Sequence, residues 1–210
     1  APLGGTGTTA YENLEHLLCT RGYFVQFGPD TPYLPSGLRD RLIPSSRFRL
    51  MEYQPPAENN SIYEGNNSWY TVNESYLRPV SDKIVALVIS PRYAAGSESV
   101  IVNGASVKPT AIAPQYEYDS RQAPSGIQHE LPPVVRVCMV ALDENSITAM
   151  LQKLGGGSGG GLNVIQSAGV SFDNADTYES DMDRVKTFLA GLDLNYRIFE
   201  TYVSLPASGL

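Results

Sequence analysis

The sequence has little positive charge and no long apolar run. Its 15 Lys and Arg residues stand against 22 Asp and Glu residues, which gives a formal net charge of -7. Proteins that hold nucleic acid through its phosphates need clustered basic side chains, so we expect no nucleic-acid partner. A helix needs about 18 or more consecutive apolar residues to cross a bilayer, and the sequence contains no such run. We therefore expect no membrane-spanning segment within these 210 residues.

Histidine and cysteine, which often serve in catalysis and metal binding, occur only twice each. His16 lies in a predicted helix and His129 in a proline-rich loop, and the H-E-x-x-H and C-x-x-C patterns are absent. Gly5, Gly7 and Ala10 match the spacing of a dinucleotide-binding loop, but that loop requires a preceding strand. We expect no catalytic residues and no cofactor; a Ser/His/Asp or Cys/His site whose members meet only in space would be the exception.

The two cysteines allow two interpretations. Cys19 and Cys138 fit a single disulfide in a protein of an oxidising compartment. Two buried thiols fit as well, because Cys19 lies in a predicted helix and Cys138 in a predicted strand, where thiols usually serve as packing groups. Both states stay open at the level of the sequence.

Composition and patterning favour one globular domain that spans residues 1–210. Apolar residues make up 42% of the chain and charged residues 18%, a balance typical of folded proteins. After a flexible start at residues 1–8, Thr9 and Glu12 form a capping-box pair that predicts a helix from about Ala10 to Thr20. Segments rich in β-branched and aromatic residues predict strands at residues 23–27, 47–53, 83–90, 134–142 and 196–205.

Two of these strands are nearly continuous in apolar character. This predicts that residues 83–90 and 134–142 are covered on both faces, with residues 83–90 in a central position. Two further helices are predicted, one from Asp143 to about Lys153 and one that follows Thr177. Because strands and helices do not alternate regularly, the expected class is α+β with a mostly antiparallel sheet and long loops.

Three segments are predicted to be loops. Residues 58–77 are polar, Asn-rich and aromatic, and residues 93–133 are rich in Ala, Ser, Gly and Pro with one possible strand at 99–103. Residues 155–161 read GGGSGGG and predict a flexible surface loop without side-chain chemistry. Long loops of this kind are often functional.

One acidic segment offers candidate metal ligands. Ca²⁺ binds through several carboxylate oxygens, and this segment carries Asp173, Asp176, Glu179, Asp181 and Asp183. Their spacing differs from that of an EF-hand loop. We favour a solvated loop followed by an acidic first helical turn, because the helix dipole stabilises negative charge at that end.

Aromatic residues in the 58–77 segment offer a candidate binding surface. The set comprises Tyr63, Trp69, Tyr70 and Tyr76, with Tyr53 close by in the sequence. Exposed aromatic side chains of this kind can recognise a protein or a glycan. An adhesin-like module that binds host glycan or protein is therefore an alternative function, and packing of these aromatics onto the sheet explains them equally well.

Six segments, taken in order, resemble those of one known family. They read ENLEHLLCTRGYFVQFG from Glu12, RFRLMEYQPPAEN from Arg47, RPVSDKIVALVISPR from Arg78, APQYEYDSR from Ala113, LPPVVRVCMVALDE from Leu131 and NYRIFETYVSLP from Asn195. Together they resemble the Verru_Chthon cassette protein C family, pilin-like proteins of Verrucomicrobia and their relatives.

The resemblance implies a fold, a role and a location. The fold would be that of a pilin or pseudopilin head, an N-terminal helix packed on a mostly antiparallel sheet, with an apolar helix upstream of Ala1 that anchors the full-length protein in the inner membrane. The role would be that of a minor pilin or pseudopilin-like component of a type IV pilus or a type II secretion-like apparatus in the cell envelope. Its partners would be other pilin-like subunits of the same assembly.

Overall fold

The structure, a computed structural model, describes most of the chain. The described residues are 20–39, 41, 45–56, 74–93, 100–102, 104–107, 112–123, 128–154 and 163–205. The predictions for residues 1–8, for the helix at 10–19 and for the glycine-rich loop at 155–161 lie outside them. Within the described part the chain is α+β, with antiparallel sheets and a few helices.

Eight strands and four helices form the described fold. The strands are β1 (Gly22–Pro29), β2 (Ser46–Tyr53), β3 (Leu77–Asp82), β4 (Ile84–Arg92), β5 (Val100–Val102), β6 (Ala105–Val107), β7 (Val134–Leu142) and β8 (Tyr196–Ser204). The helices are α1 (Ser36–Arg39), α2 (Glu144–Leu154), α3 (Val164–Ser167) and α4 (Tyr178–Gly191).

The strands form two three-stranded sheets and one short hairpin. The first sheet has the order β1-β2-β3, the second sheet has the order β4-β7-β8, and β5 pairs with β6. Every described pair is antiparallel. In the second sheet β7 is therefore the central strand, and β8 has no hydrogen-bonded neighbour beyond β7 among the described strands.

One residue joins the two large sheets. Lys83 lies between β3 and β4 with a φ of 69°, in the left-handed region. Its N–H donates to the Phe48 carbonyl of the first sheet at 2.8 Å, and its carbonyl accepts from the Leu142 N–H of the second at 3.1 Å. The chain thus turns from one sheet into the other at a single strained residue.

Replacement of Lys83 by a β-branched residue should destabilise the fold. Isoleucine is disfavoured at positive φ, so Lys83→Ile should lower the free energy of unfolding by about 1–3 kcal/mol. Glycine adopts this conformation readily, so Lys83→Gly should leave the free energy of unfolding within about 1 kcal/mol of the original value. Urea denaturation measures both. Lys83 also pairs with Glu144 at 3.1 Å on the surface, so Glu144→Gln is the control. A Lys83→Ile protein as stable as this control would contradict the prediction.

The main core lies between the second sheet and the helices. Strand residues Val88, Cys138 and Val140 pack against buried side chains of α2, α3 and α4. The helices contribute Met150, Val164, Val185 and Leu189, all fully buried. Phe48 of the first sheet belongs to the same core and contacts Phe27 with a ring-centroid distance of 4.7 Å. A single core therefore includes residues of both sheets.

The predicted ends of the long helices agree with the structure, with one difference in capping. Asp143 precedes α2, and its Oδ1 accepts the Ser146 N–H at 2.7 Å, as an N-cap residue does. Thr177 precedes α4, but its hydroxyl donates to Asp181 Oδ2 at 2.8 Å and caps no backbone N–H. The acidic first turn of α4, Glu179 and Asp181, complements the helix dipole.

Two predictions about strand position were wrong. The strand predicted at residues 83–90 is β4, which is an outer strand of the second sheet among the described strands, and the central place belongs to β7. Neither strand is covered on both faces: the burial of β7 alternates between buried and half-buried residues, and Ile89 of β4 is exposed. Apolar character on the second face of these strands therefore does not mean that this face is buried.

Other predictions missed short elements, some of them in segments taken for loops. Strand β3 was missed because Pro79 and charged residues interrupt its pattern, which is common in edge strands. The segment 93–133 carries a hairpin rather than one strand, since β5 and β6 pair across Asn103-Gly104, and Gly104 has a φ of 79°. Such a dipeptide is a recognised hairpin signal. Helices α1 and α3, of four residues each, were also unpredicted.

Candidate functional site

The second sheet carries apolar side chains on the face opposite its helices. Side chains alternate between the two faces along each strand, and the strand register aligns the odd-numbered residues of β4, β7 and β8. We call these residues the open face: Leu87, Ile89, Pro91, Val135, Val137, Met139, Ala141, Arg197, Phe199, Thr201 and Val203. All are half-buried or exposed, with 40% of Ile89 and 49% of Phe199 accessible to solvent.

The outer edge of β8 borders the open face. The Leu205 N–H donates to the Pro133 carbonyl at 2.9 Å, and the Asp143 N–H approaches the Asn195 carbonyl at 3.5 Å. Hydrogen-bonded and non-hydrogen-bonded pairs alternate along an antiparallel ladder, so the odd-numbered residues of β8 direct their backbone groups toward β7. The even-numbered residues direct theirs outward, and these are Tyr196, Ile198, Glu200, Tyr202 and Ser204. All side chains from Phe199 to Ser204 are exposed.

A buried charge supports the sheet beneath this edge. Only 2% of Arg136 on β7 is exposed, and its guanidinium carbon lies 3.3 Å from the centroid of the Tyr178 ring. Its Nη1 is 3.5 Å from Glu179 Oε1, and its Nε finds no hydrogen-bond acceptor in the described part of the chain. The aromatic ring at the start of α4 therefore contributes a cation–π contact to the stabilisation of this guanidinium.

One tyrosine connects α4 to the edge strand, and a second tyrosine of that strand contacts the same carboxylate. Tyr178 Oη donates to Glu200 Oε2 at 3.0 Å, and Tyr202 Oη donates to Glu200 Oε1 at 2.8 Å. Burial raises the pKa of Tyr178 far above its ordinary value, and the adjacent Cys138 thiol adds to the shift. Burial likewise raises the pKa of the Cys138 thiol. Both groups stay protonated at neutral pH, so they suit packing and hydrogen bonding rather than nucleophilic attack.

Charged groups on the first sheet pair with one another. The Glu52 carboxylate accepts from Tyr23 Oη at 2.9 Å, from Arg78 Nε at 2.6 Å and from Arg21 Nη1 at 3.2 Å. The hydrogen bond from Tyr23 is the main cause that lowers the pKa of Glu52, and Arg78 adds to it. These contacts satisfy the carboxylate, which fits a structural role.

A cleft of about 500 Å³ beside this sheet is lined by both signs of charge. Arg49, which is buried, donates to the Gly28 and Pro29 carbonyls and lies 3.6 Å from Asp82. Arg47 lies 3.4 Å from Asp30. The two positive charges are thus balanced by two carboxylates, and the cleft has no net charge with which to select an ion.

The acidic candidates for Ca²⁺ have separate partners. Asp173 accepts from the Ser171 hydroxyl, Asp181 from Thr177, and Asp183 from Lys186, while Glu179 lies beside Arg136. The Asp176 N–H donates to Asn174 Oδ1 at 2.9 Å. Among the described residues, no group of three or more His, Cys, Asp or Glu side chains is close enough to hold a metal ion.

The aromatic candidates fall largely outside the described residues. Tyr63, Trp69 and Tyr70 lie there, whereas Tyr76 is described and its ring contacts the buried Tyr53 at a centroid distance of 6.4 Å. This contact fits the second of the two interpretations drawn from the sequence, in which these aromatic side chains pack together.

The cysteines and histidines, the remaining candidates from the sequence, are not brought together into a site in the described part of the chain. Cys138 is a free, buried thiol, and Cys19 lies outside the described residues. His129 is exposed in a turn with a φ of 67°, and His16 lies outside. The predicted sites did not include the open face, although the apolar pattern of residues 134–142 on both strand faces is the signal that points to it.

Comparison of the chain with protein families, with curated proteins and with solved structures gives no match. No helix among the described residues is long and apolar enough to cross a membrane.

Proposed function

We propose that this protein is a non-enzymatic structural subunit, a minor pilin or pseudopilin-like component of a type IV pilus or type II secretion-like apparatus in the cell envelope. It acts through protein–protein contacts with other pilin-like subunits. The observation that carries the proposal is the open face, an apolar surface on one side of an antiparallel sheet whose other side is packed against helices.

The open face has the character of an interaction surface. Monomeric proteins rarely leave a large contiguous apolar patch in water, because each Å² of apolar surface costs roughly 25 cal/mol to expose. Ile89, Phe199 and Val203 are the most exposed apolar members of the set. Burial of these side chains by a partner would therefore stabilise an assembly.

An amphipathic helix is the partner element that this surface fits. The sequence predicts such a helix at about residues 10–20, with Leu14, Leu17 and Leu18 at helical spacing. In the resembled family a helix of this kind anchors in the inner membrane and can pack into a filament, so the helix of a neighbouring subunit is the proposed partner of the open face. The ordered set of resembling segments and the open face support the same proposal from different directions.

The protonation states support a structural rather than a catalytic role. Catalytic acids and bases need pKa values near the working pH, whereas burial raises the pKa values of Tyr178 and Cys138 and holds both groups in their neutral forms. The carboxylate of Glu52 is fully partnered. These groups contribute to stability and leave protein contacts as the proposed mode of action.

A charged residue on the open face tests the proposal in the native host. Ile89→Glu introduces a carboxylate that would have to lose its hydration on assembly, and we expect it to reduce cross-linking to envelope partners, and secretion or filament number, at least tenfold. Leu38→Glu is the matched control, because Leu38 is a similarly exposed apolar residue, at 43%, that lies in α1 away from the open face. Thermal melting of both purified variants checks that they fold.

Two results would overturn this function. One is a deletion strain whose secretion and surface filaments equal those of the parent. The other is Ile89→Glu protein that cross-links and supports secretion as well as Leu38→Glu protein.

A further inference from the structure

Among the described strands, β8 is a long sheet edge with little of the usual protection. Natural edge strands avoid self-pairing through charged residues, lysine above all, and through prolines, bulges or very short length. Strand β8 has nine residues, includes no Lys and no Pro, has Arg197 and Glu200 as its charged residues, and pairs with β7 without a register shift. Five of its residues direct their N–H and C=O groups outward, as the ladder pattern requires. The edge is therefore competent to accept another strand.

The residues on the two sides of Thr201 match one another in chemical character. Glu200 and Tyr202 flank Thr201 as an acceptor and a donor, and Phe199 and Val203 flank this pair as two apolar residues. If two β8 strands run antiparallel about an axis through Thr201, Glu200 of each copy opposes Tyr202 of the other. Phe199 then opposes Val203 of the second copy, and the two Thr201 side chains oppose each other.

From this arrangement we propose that two copies of the chain associate edge to edge through β8, in a register centred on Thr201. Glu200 and Tyr202 carry outward backbone groups, so their pairing closes the hydrogen bonds of the ladder. Apolar pairs and Thr–Thr pairs are favourable across strands. A register centred on Glu200 would place two carboxylates opposite each other, and a register centred on Phe199 would place Glu200 against Ile198, which packs into the core.

This association closes at two copies. It joins the second sheets into one six-stranded antiparallel sheet, in the order β4-β7-β8-β8-β7-β4, through an isologous contact. The outer strand β4 already packs beside β1, so a further copy cannot extend the sheet in the same way. The open faces of the two copies become adjacent across the new pair. The inference goes beyond the proposed function and does not rest on it.

Opposite charges at the symmetry axis test both the contact and its register. A residue on a two-fold axis meets its own copy, so Thr201→Lys and Thr201→Glu should each weaken association of the purified 210-residue chain. We expect the dimer dissociation constant to rise at least tenfold for each variant alone, and an equimolar mixture to recover the original value within about threefold. Sedimentation equilibrium measures the mass of each sample.

A matched control separates this effect from a general change in charge. Thr187→Lys makes the same substitution on the exposed side of α4, on the far side of the sheet, and should leave the dimer unchanged. We expect the variants to fold, because Thr201 is exposed. Circular dichroism and thermal melting check this.

Three results would overturn the inference. The original chain could remain a monomer at the highest concentration reached. The Thr201→Lys protein could dimerise as well as the Thr187→Lys protein. The mixture could also associate no better than either variant alone, which would exclude the register centred on Thr201. Because all samples are purified, a failure here is distinct from a failure of the Ile89→Glu test in the host.

Discussion

Tyr178→Ala should lower the free energy of unfolding by about 3–5 kcal/mol, the range observed for removal of a buried aromatic side chain. Tyr178 is buried at the first position of α4, where its ring contacts Phe172 and lies under the Arg136 guanidinium. Its hydroxyl donates to Glu200 on β8. The substitution therefore removes packing, a cation–π contact and the hydrogen bond that connects α4 to the edge strand.

Tyr178→Phe separates packing from hydrogen bonding. It keeps the ring and should cost about 1 kcal/mol, because the lost hydrogen bond ends at a carboxylate that water also reaches. Urea denaturation with circular dichroism measures both variants. Equal losses for the two variants would mean that the hydroxyl, and not the ring, stabilises α4.

Arg136→Ala should lower the free energy of unfolding by about 2–4 kcal/mol, whereas Arg136→Met should change it by no more than about 1 kcal/mol. The alanine leaves a cavity where the long side chain was packed. The methionine fills most of that volume and can contact the Tyr178 ring through its sulfur. It also removes the guanidinium Nε, which has no acceptor in the described part of the chain.

The small effect expected for methionine follows from the weakness of the ion pair. Glu179 is 81% exposed and lies 3.5 Å from Arg136, so solvent screens the attraction to less than about 1 kcal/mol. Thermal and urea unfolding of the two variants provide the test. A methionine variant as unstable as the alanine variant would show that the charge itself is required.

The long strands could be predicted from the sequence because their residue types specify extended structure directly. Residues 23–27, 47–53, 134–142 and 196–205 correspond to β1, β2, β7 and β8, with ends that differ by a few residues. Helices α2 and α4 follow from Asp143 and from the apolar spacing of Met182, Val185 and Leu189. In these segments local preference and tertiary packing agree.

The sheet order could not be predicted, because apolar character reports burial and not the position of a strand in a ladder. Strand β4 is largely apolar because the core and the first sheet both contact it, although it lies at the outside of its own sheet among the described strands. Strand β3 was hidden by Pro79 and by charged residues that suit a sheet edge. Lys83, which joins the two sheets, has a positive φ, and nothing in the sequence signals that conformation.

The sequence indicated the apolar residues of the candidate interaction surface but not their exposure. The apolar residues of β4 and β7 were recognised, but the pattern predicted that their second face was covered. Exposure of Phe199 and Ile89 became evident only when the register placed β4, β7 and β8 side by side. The functional prediction accordingly turned to loops, where aromatic residues are easier to notice than a continuous face formed by three distant segments.

The backbone connection at Lys83 affects how the two sheets unfold locally. Its amide and carbonyl belong to different ladders, so fraying of either ladder removes a constraint from the other. Local openings should therefore not be confined to one layer, and the slowest-exchanging amides of both layers should share a common opening free energy. A protein with this property responds to mechanical load as one cooperative body rather than as two parts that yield in turn.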